Sequence, residues 1–452
     1  MQKEKNMLVL ETPPSEFENQ LMELRRQFLR TKERELAEQL AEVTMDLNSC
    51  LPKWNLQNPE RNSCLSNESI SDICKTNFSI LKDAGYSNLT EMIDHEASII
   101  KNARICKLSQ DSDQKLINNR LSHNDGTGLK HALRKGAVAV TTNPSIFNKT
   151  IKRFPEYWGK KRDEIKKKFP SYTLDQMAAR IYTEVVLESA RIIRPIFNFG
   201  NKNFGYVSLQ LNPNISDNST AMINEAEMIF IWLKEAFNGE KPNVVFKVPG
   251  TFAGLKVASE LTSKGIGVNI TVNYSVSQQL AFGEILEKGK ADHCYLTQMN
   301  SRLEAPVAEE VGEGVCDHRE KASSWSSTAV TKRAYKILYR DRGFRNSLLL
   351  GASINKPWHV DRLITDASSI PIHMTIDPVE LTEFDGKLRD YSPCLSDPID
   401  QHILDRLMKS DTFVKAYEPE KLKREEFDSF KPTLITLNGF RKSYDELLQW
   451  CR

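Results

Sequence analysis

"VVFKVPGTFAGLKVASELTSKGIGVNITVNYS", from Val244 to Ser275, decides how the rest of the chain is read. Val244–Val248 is a short apolar, β-branched run of the kind that forms a buried strand. Ala253–Ser263 repeats apolar residues at helical spacing, and Gly267–Thr271 begins a second β-branched run. Strand, helix and strand in this order make a unit with two parallel strands. One charged residue, Lys247, interrupts the first strand at its last inward-facing position before the loop.

The same alternation extends in both directions. Strand-like runs fall at Lys115–Leu121, Val138–Thr142, Tyr206–Leu211, Val244–Val248, Gly267–Thr271, His293–Thr297, Ser347–Ala352 and Ile370–Thr375, and amphipathic segments such as Ile181–Ile193 follow most of them. Eight strands alternating with helices predict an α/β protein, a (β/α)₈ TIM barrel. An open doubly wound sheet is the competing architecture, and no Gly-rich dinucleotide loop follows the first strand to support it. In a barrel, functional groups gather at the C-terminal ends of the strands, which is where Lys247 stands.

Residues 15–47, "SEFENQLMELRRQFLRTKERELAEQLAEVTMDL", carry Leu21, Leu24, Phe28, Leu36 and Leu40 at helical spacing. They read as one or two helices resting an apolar face on the main body, or as a short dimerising coiled coil. Residues 48–70 read as a polar linker and 71–108 as helical again. The chain therefore divides into a helical N-terminal extension, 1–110, and a barrel, 111–452. The extension is the surface expected to serve a homo-oligomer or a partner protein.

Composition narrows the function. Apolar residues make up 40% and charged residues 27% of the 452, and the net charge is +2. Such a balance gives no electrostatic case for nucleic acid or an acidic membrane surface. No stretch approaches the length of about eighteen uninterrupted apolar residues that a membrane span needs. The opening "MQKEKNMLVLETPP" lacks an apolar core of signal-peptide length. The eight cysteines are scattered without a C-x-x-C pair and read as reduced thiols of a cytoplasmic protein. No metal-ligand cluster is visible among the eight histidines, so no metal is expected.

A strand-end lysine has two readings on position alone. It snorkels or pairs with a carboxylate, or burial lowers its pKa until the neutral amine can attack a carbonyl and form a Schiff base. Its surroundings separate the two. "AVTTNPSIF" (Ala139–Phe147), "GYVSLQLNP" (Gly205–Pro213), "VVFKVPGTFAGLKVASEL", "GIGVNITVNYS", "YLTQMNSRLEAP" (Tyr295–Pro306) and "LLLGASINKPWHVDRLI" (Leu348–Ile364) together resemble the transaldolase family in its longer variety, in order and spacing. The likeness runs from about residue 115 to the end, through "NGFRKSYDELL", and leaves the N-terminal extension uncovered.

The resemblance implies a class I aldolase barrel that moves a dihydroxyacetone unit between ketose and aldose phosphates, as in the pentose phosphate pathway, with no cofactor. It makes Lys247 the Schiff-base lysine, and Asn143 and Asn269 the amides that bind substrate hydroxyls. Thr271 becomes the holder of the catalytic water. Arg302 becomes a phosphate ligand, a role that suits a bidentate guanidinium. Thr297 stands where the family has a serine, and Thr141 and Ser353 line the same mouth. A second basic position falls on Asn355 or Lys356.

Two departures stand out. The family's first-strand aspartate aligns with Asn119 in "LINNRLS", and its third-strand glutamate with Gln210 in "VSLQL". Amides keep the hydrogen-bonding reach of the acids but carry no proton. General acid–base groups each contribute about 10²–10⁴-fold, so ordinary transaldol transfer is expected to be weak or altered. Asp125, His123 and Tyr274 are the nearby groups able to substitute. Three readings follow: a transaldolase-type Schiff-base enzyme with other proton carriers, a barrel recruited to different lysine or carbonyl chemistry in specialised metabolism, and a non-catalytic sugar-phosphate binder or regulatory subunit.

Overall fold

Each of the eight expected runs forms a strand, and all are parallel. They are β1 (Asn119–His123), β2 (Ala137–Thr141), β3 (Tyr206–Gln210), β4 (Val244–Pro249), β5 (Val268–Asn273), β6 (Tyr295–Met299), β7 (Leu348–Ile354) and β8 (Ile372–Ile376). Each pairs with the next and β8 returns to β1, which closes the sheet into a barrel. The open sheet is thereby excluded. The computed structural model describes residues 14–57, 67–199, 203–313, 321–377 and 391–452, with backbone alone at 14–15, 48–57, 67 and 199. The opening stretch, Cys64 and Cys316 lie outside the described residues, as does the side chain of Cys50. Among the described residues, no helix is long and apolar enough to cross a membrane.

The barrel is a filled core. At its N-terminal end, rings from facing strands meet across the interior. Tyr206 stacks on His293 at 4.3 Å, and Tyr295 lies edge-on to His293 at 4.7 Å and to His373 at 5.1 Å. This aromatic floor fills the N-terminal end of the interior. Helices such as Leu174–Phe199, Phe252–Ser263 and Val276–Lys288 surround the strands. The last helix, Lys431–Cys451, brings Thr436 against Tyr274, just beyond the end of β5.

Two expectations on element boundaries are corrected. Residues 48–57 are helical backbone, the continuation of the helix Arg34–Gln57, and a new helix starts at Asn67. Leu40, Val43 and Leu47 bury that helix upstream, and adding residues to a formed helix costs little beside nucleating it. β1 begins at Asn119, later than Lys115. Lys115 takes a left-handed conformation, φ +59°, which turns the chain after the helix Arg104–Asp113 and postpones the strand.

Candidate active site

The site is built from residues that the barrel's register brings to one level. Gln210 pairs with Lys247, and Lys247 with Asn269. Paired residues of a sheet share a face. That this face is the interior follows from two bonds that skip a strand. Asn269 on β5 donates from Nδ2 to Ser208 Oγ on β3 at 3.0 Å. Thr141 on β2 meets Thr375 on β8, Oγ1 to Oγ1, at 2.6 Å. Neither contact can form except across the barrel.

Lys247 is 7% exposed, and its Nζ donates to the carbonyl oxygen of Thr142 at 2.9 Å. Burial lowers its pKa from 10.5 to about 8, with no charged side chain contributing. The ion-paired reading of this lysine therefore fails: the amine is held by a neutral carbonyl, and a substantial neutral fraction exists near physiological pH. Thr142 is fixed in turn, since its Oγ1 donates to the Ser208 carbonyl at 2.8 Å and meets the Tyr182 hydroxyl at 3.0 Å.

The neighbouring amides divide into engaged and unengaged. Asn269 Oδ1 accepts from Thr297 Oγ1 at 2.6 Å, so Asn269, Thr297 and Ser208 form one network beside Lys247. Gln210 is buried, and its Oε1 has no hydrogen-bond partner among the described residues. A buried orphan acceptor is costly, and a substrate hydroxyl or water would satisfy it. Asn143 caps the helix Pro144–Arg153, its side chain accepting from Ile146 N at 3.0 Å. Its capping role is thus real, and it stands at the rim just past the end of β2.

Thr271 points inward from β5, with its hydroxyl 3.9 Å from Met299 Sδ. The Tyr274 hydroxyl lies 3.5 Å from the same sulfur and bonds Thr436. Burial raises the Tyr274 pKa, and the bond to Thr436 and the charge of Arg302 pull the other way. Arg302 itself is exposed in the first turn of the helix Asn300–Val311. Ser353 is partly buried near the end of β7 at φ +52°. Lys356 follows in the loop.

Asn119 is not part of this site. It lies at the N-terminal start of β1, wholly buried, and its amide is spent on closing the barrel's lower end. Nδ2 donates to the Leu363 carbonyl at 2.9 Å, and Oδ1 accepts from Thr365 N at 3.0 Å. The polar residue that follows β1 at the mouth is Asn124, whose Oδ1 accepts from Thr141 Oγ1 at 2.9 Å. Beside it, Asp125 is occupied by the amide and hydroxyl of Thr127 at 2.9 and 3.0 Å. Sequence reasoning missed Asn124, Thr375, Ser208 and Met299. Inward alternation, counted back from Lys247 through the register, would have found Ser208 and Met299. No short motif marks Thr436, which arrives from the far end of the chain.

The closed parallel barrel thus carries at its mouth a buried amine held by a backbone carbonyl. A family model described as transaldolase/fructose-6-phosphate aldolase matches residues 118–430, and the chain belongs to that family. Among curated relatives, transaldolase 2 of Streptomyces avermitilis is 32% identical over 168 residues, 36% of this chain and 43% of the relative. Transaldolase 2 of a Nostoc species is 30% identical over 175 residues, 37% and 42% of the two chains. Transaldolase of Helicobacter pylori is 29% identical over 180 residues, 39% and 52%. The chain spans about half the length of the curated relatives it matches.

Proposed function

We infer that the protein is a transaldolase-type enzyme that forms a Schiff base between Lys247 and the carbonyl of a ketose phosphate. The carrying observation is the Lys247 amine, buried, bonded to a carbonyl and level with Gln210 and Asn269. The neutral nitrogen attacks the ketone carbon, and loss of water leaves an iminium. That iminium accepts the electron pair of the adjacent carbon–carbon bond as it breaks, releasing an aldehyde. The bound three-carbon enamine then adds to a second aldehyde, and hydrolysis returns the lysine. Asn269 and Asn143 would bind hydroxyls, and Arg302 the phosphate. Lys356 would be a second basic contact.

The proton steps set the rate. Gln210 stands level with the amine and cannot carry a proton. The hydroxyls of Thr271 and Tyr274 remain to place water or shuttle the proton, so transfer between sugar phosphates is expected to be slow. The unpaired Gln210 oxygen favours a second reading, a sugar-phosphate binder that does not turn over. Borohydride trapping with fructose 6-phosphate, read by intact mass, separates them. The expected result is an adduct that vanishes in Lys247→Met and whose formation rate rises through pH ~8 as the amine deprotonates. Binding without any adduct would establish the binder. An adduct without transfer to erythrose 4-phosphate would point to different chemistry on the same lysine.

A further inference from the structure

β5 carries an anomaly that the chemistry above does not use. Val272 lies at φ +55°, fully buried, directly after Thr271. A β-branched residue in the left-handed region is a true outlier and persists only where its surroundings hold it. The β5–β6 ladder loses its register at this point, between Ile270 and Asn273. The distortion has a geometric result. Thr271 and Tyr274, three residues apart, both bring their hydroxyls to Met299 Sδ, at 3.9 and 3.5 Å.

One side chain spans the distortion. Gln278, in the first turn of the helix Val276–Lys288, is wholly buried. Its Oε1 gathers three donors: Tyr274 N at 3.0 Å, Ser275 N at 3.2 Å and Ser275 Oγ at 3.1 Å. Its Nε2 donates to the Gly250 carbonyl at 2.7 Å and lies 3.5 Å from the Val272 carbonyl. Gly250 also gives its N–H to the Thr271 carbonyl at 2.7 Å. A side chain there would meet the Val272 carbonyl at 3.0 Å and Gln278 Nε2 at 3.1 Å, so the approach admits only glycine without adjustment. The amide thus ties the loop after β4, the strand bearing Lys247, to the strained end of β5.

We propose that Gln278 is a positioning residue that holds Val272 left-handed and thereby sets the Thr271 and Tyr274 hydroxyls together on Met299 Sδ. This rests on the Lys247 Schiff-base reading. Without the amide, Val272 relaxes toward extended φ, the chain after it changes direction, and the Tyr274 hydroxyl leaves Met299 and Thr436. Helix capping alone would be a different role, because the Ser275–Gln278 capping box serves the helix whatever Val272 does.

A double-variant cycle distinguishes the two roles. Gln278→Met is nearly isosteric and removes every one of these bonds. The expected result is a roughly 10–100-fold fall in the rate of adduct formation with fructose 6-phosphate and borohydride, the scale of a misplaced reacting group. Sugar-phosphate affinity and the pH midpoint near 8 should stay as in the parent, because the burial of Lys247 is untouched. Glycine adopts positive φ freely, so in a Val272→Gly background, which already carries the cost of the deleted buried side chain, adding Gln278→Met should lower rate and melting temperature by less than half of what it does in the parent. If Gln278→Met does not fold, Gln278→Glu keeps the three acceptor bonds, loses the donated ones, and serves in the same cycle. Additive losses, with Gln278→Met costing as much in the Val272→Gly background as in the parent, overturn the clamp. An adduct missing from the parent protein overturns the Schiff-base reading instead, and the melting temperatures of the four proteins then decide whether Gln278 holds Val272.

Discussion

At the scale of one residue, Lys247 exchanges stability for reactivity. An amine at about 8 instead of 10.5 is protonated in both folded and unfolded chains at pH 7, so the native state there bears the full cost of a buried cation. The difference corresponds to roughly 3 kcal/mol. Because the folded pKa is the lower one, the unfolded chain binds more protons between pH 8 and 10.5. This group's penalty therefore fades as pH rises through that window. Lys247→Met removes the charge and keeps the volume, but it leaves the Thr142 carbonyl without its donor. We expect the variant to be more stable than the parent by about 1–3 kcal/mol at pH 7, once that lost bond is set against the gain. The advantage should vanish or reverse by pH ~10.5, where the penalty is gone and the lost bond remains, as read from urea unfolding at several pH values. A variant less stable at pH 7 would mean the amine is not an electrostatic burden.

At the scale of the elements, the register of β1 decides which amides matter. Asn119 belongs to the barrel's lower closure, where Leu363 supplies an acceptor and Thr365 a donor. Asn119→Asp would set a carboxylate oxygen against the Leu363 carbonyl and leave an uncompensated buried charge. It is expected to cost about 2–4 kcal/mol in stability without raising activity. Asn124→Asp with Gln210→Glu alters the mouth instead, and this pair is the one expected to increase sugar-phosphate transfer by 10²-fold or more. A coupled transfer assay and thermal melts of both sets check the assignment. The contrast shows what was legible in the sequence. Strand number, order and the place of Lys247 followed from β-branched runs separated by amphipathic ones, because that alternation survives errors at strand ends. Asn119 was misplaced because "LINNRLS" fixes no register by itself. Only Lys115, turning left-handed, delays the strand. Gln278 and Val272 were invisible for another reason: strain and its restraint lie in backbone angles that no residue type announces.

At the scale of the molecule, the N-terminal helices are bound to the barrel through a buried ionic knot. Arg134, at the end of the helix Leu129–Arg134 that links β1 to β2, donates from Nε to Asp46 Oδ1 at 2.7 Å and pairs with Glu42. Both acids come from the helix Arg34–Gln57. Glu96, on the helix Ser87–Asn102, lies 3.8 Å from the same guanidinium and 3.0 Å from His131 Nδ1. Asp46 is 1% exposed, and burial pushes its carboxyl up to about 6 against the pull of Arg134. The guanidinium compensates this buried carboxylate. Arg134→Leu would strand it, and removing one member of a buried pair typically costs about 3–5 kcal/mol. That loss should fall on the docking of the N-terminal helices rather than on the closed sheet, which shares none of these bonds. Hydrogen exchange would then show early deuteration of the helix Arg34–Gln57 with the strands still protected. Adding Asp46→Asn to Arg134→Leu removes the stranded charge and should recover most of the docking. If the single variant left the helix protected as in the parent, the hydrophobic face formed by Leu40, Val43 and Leu47 would be carrying the attachment alone.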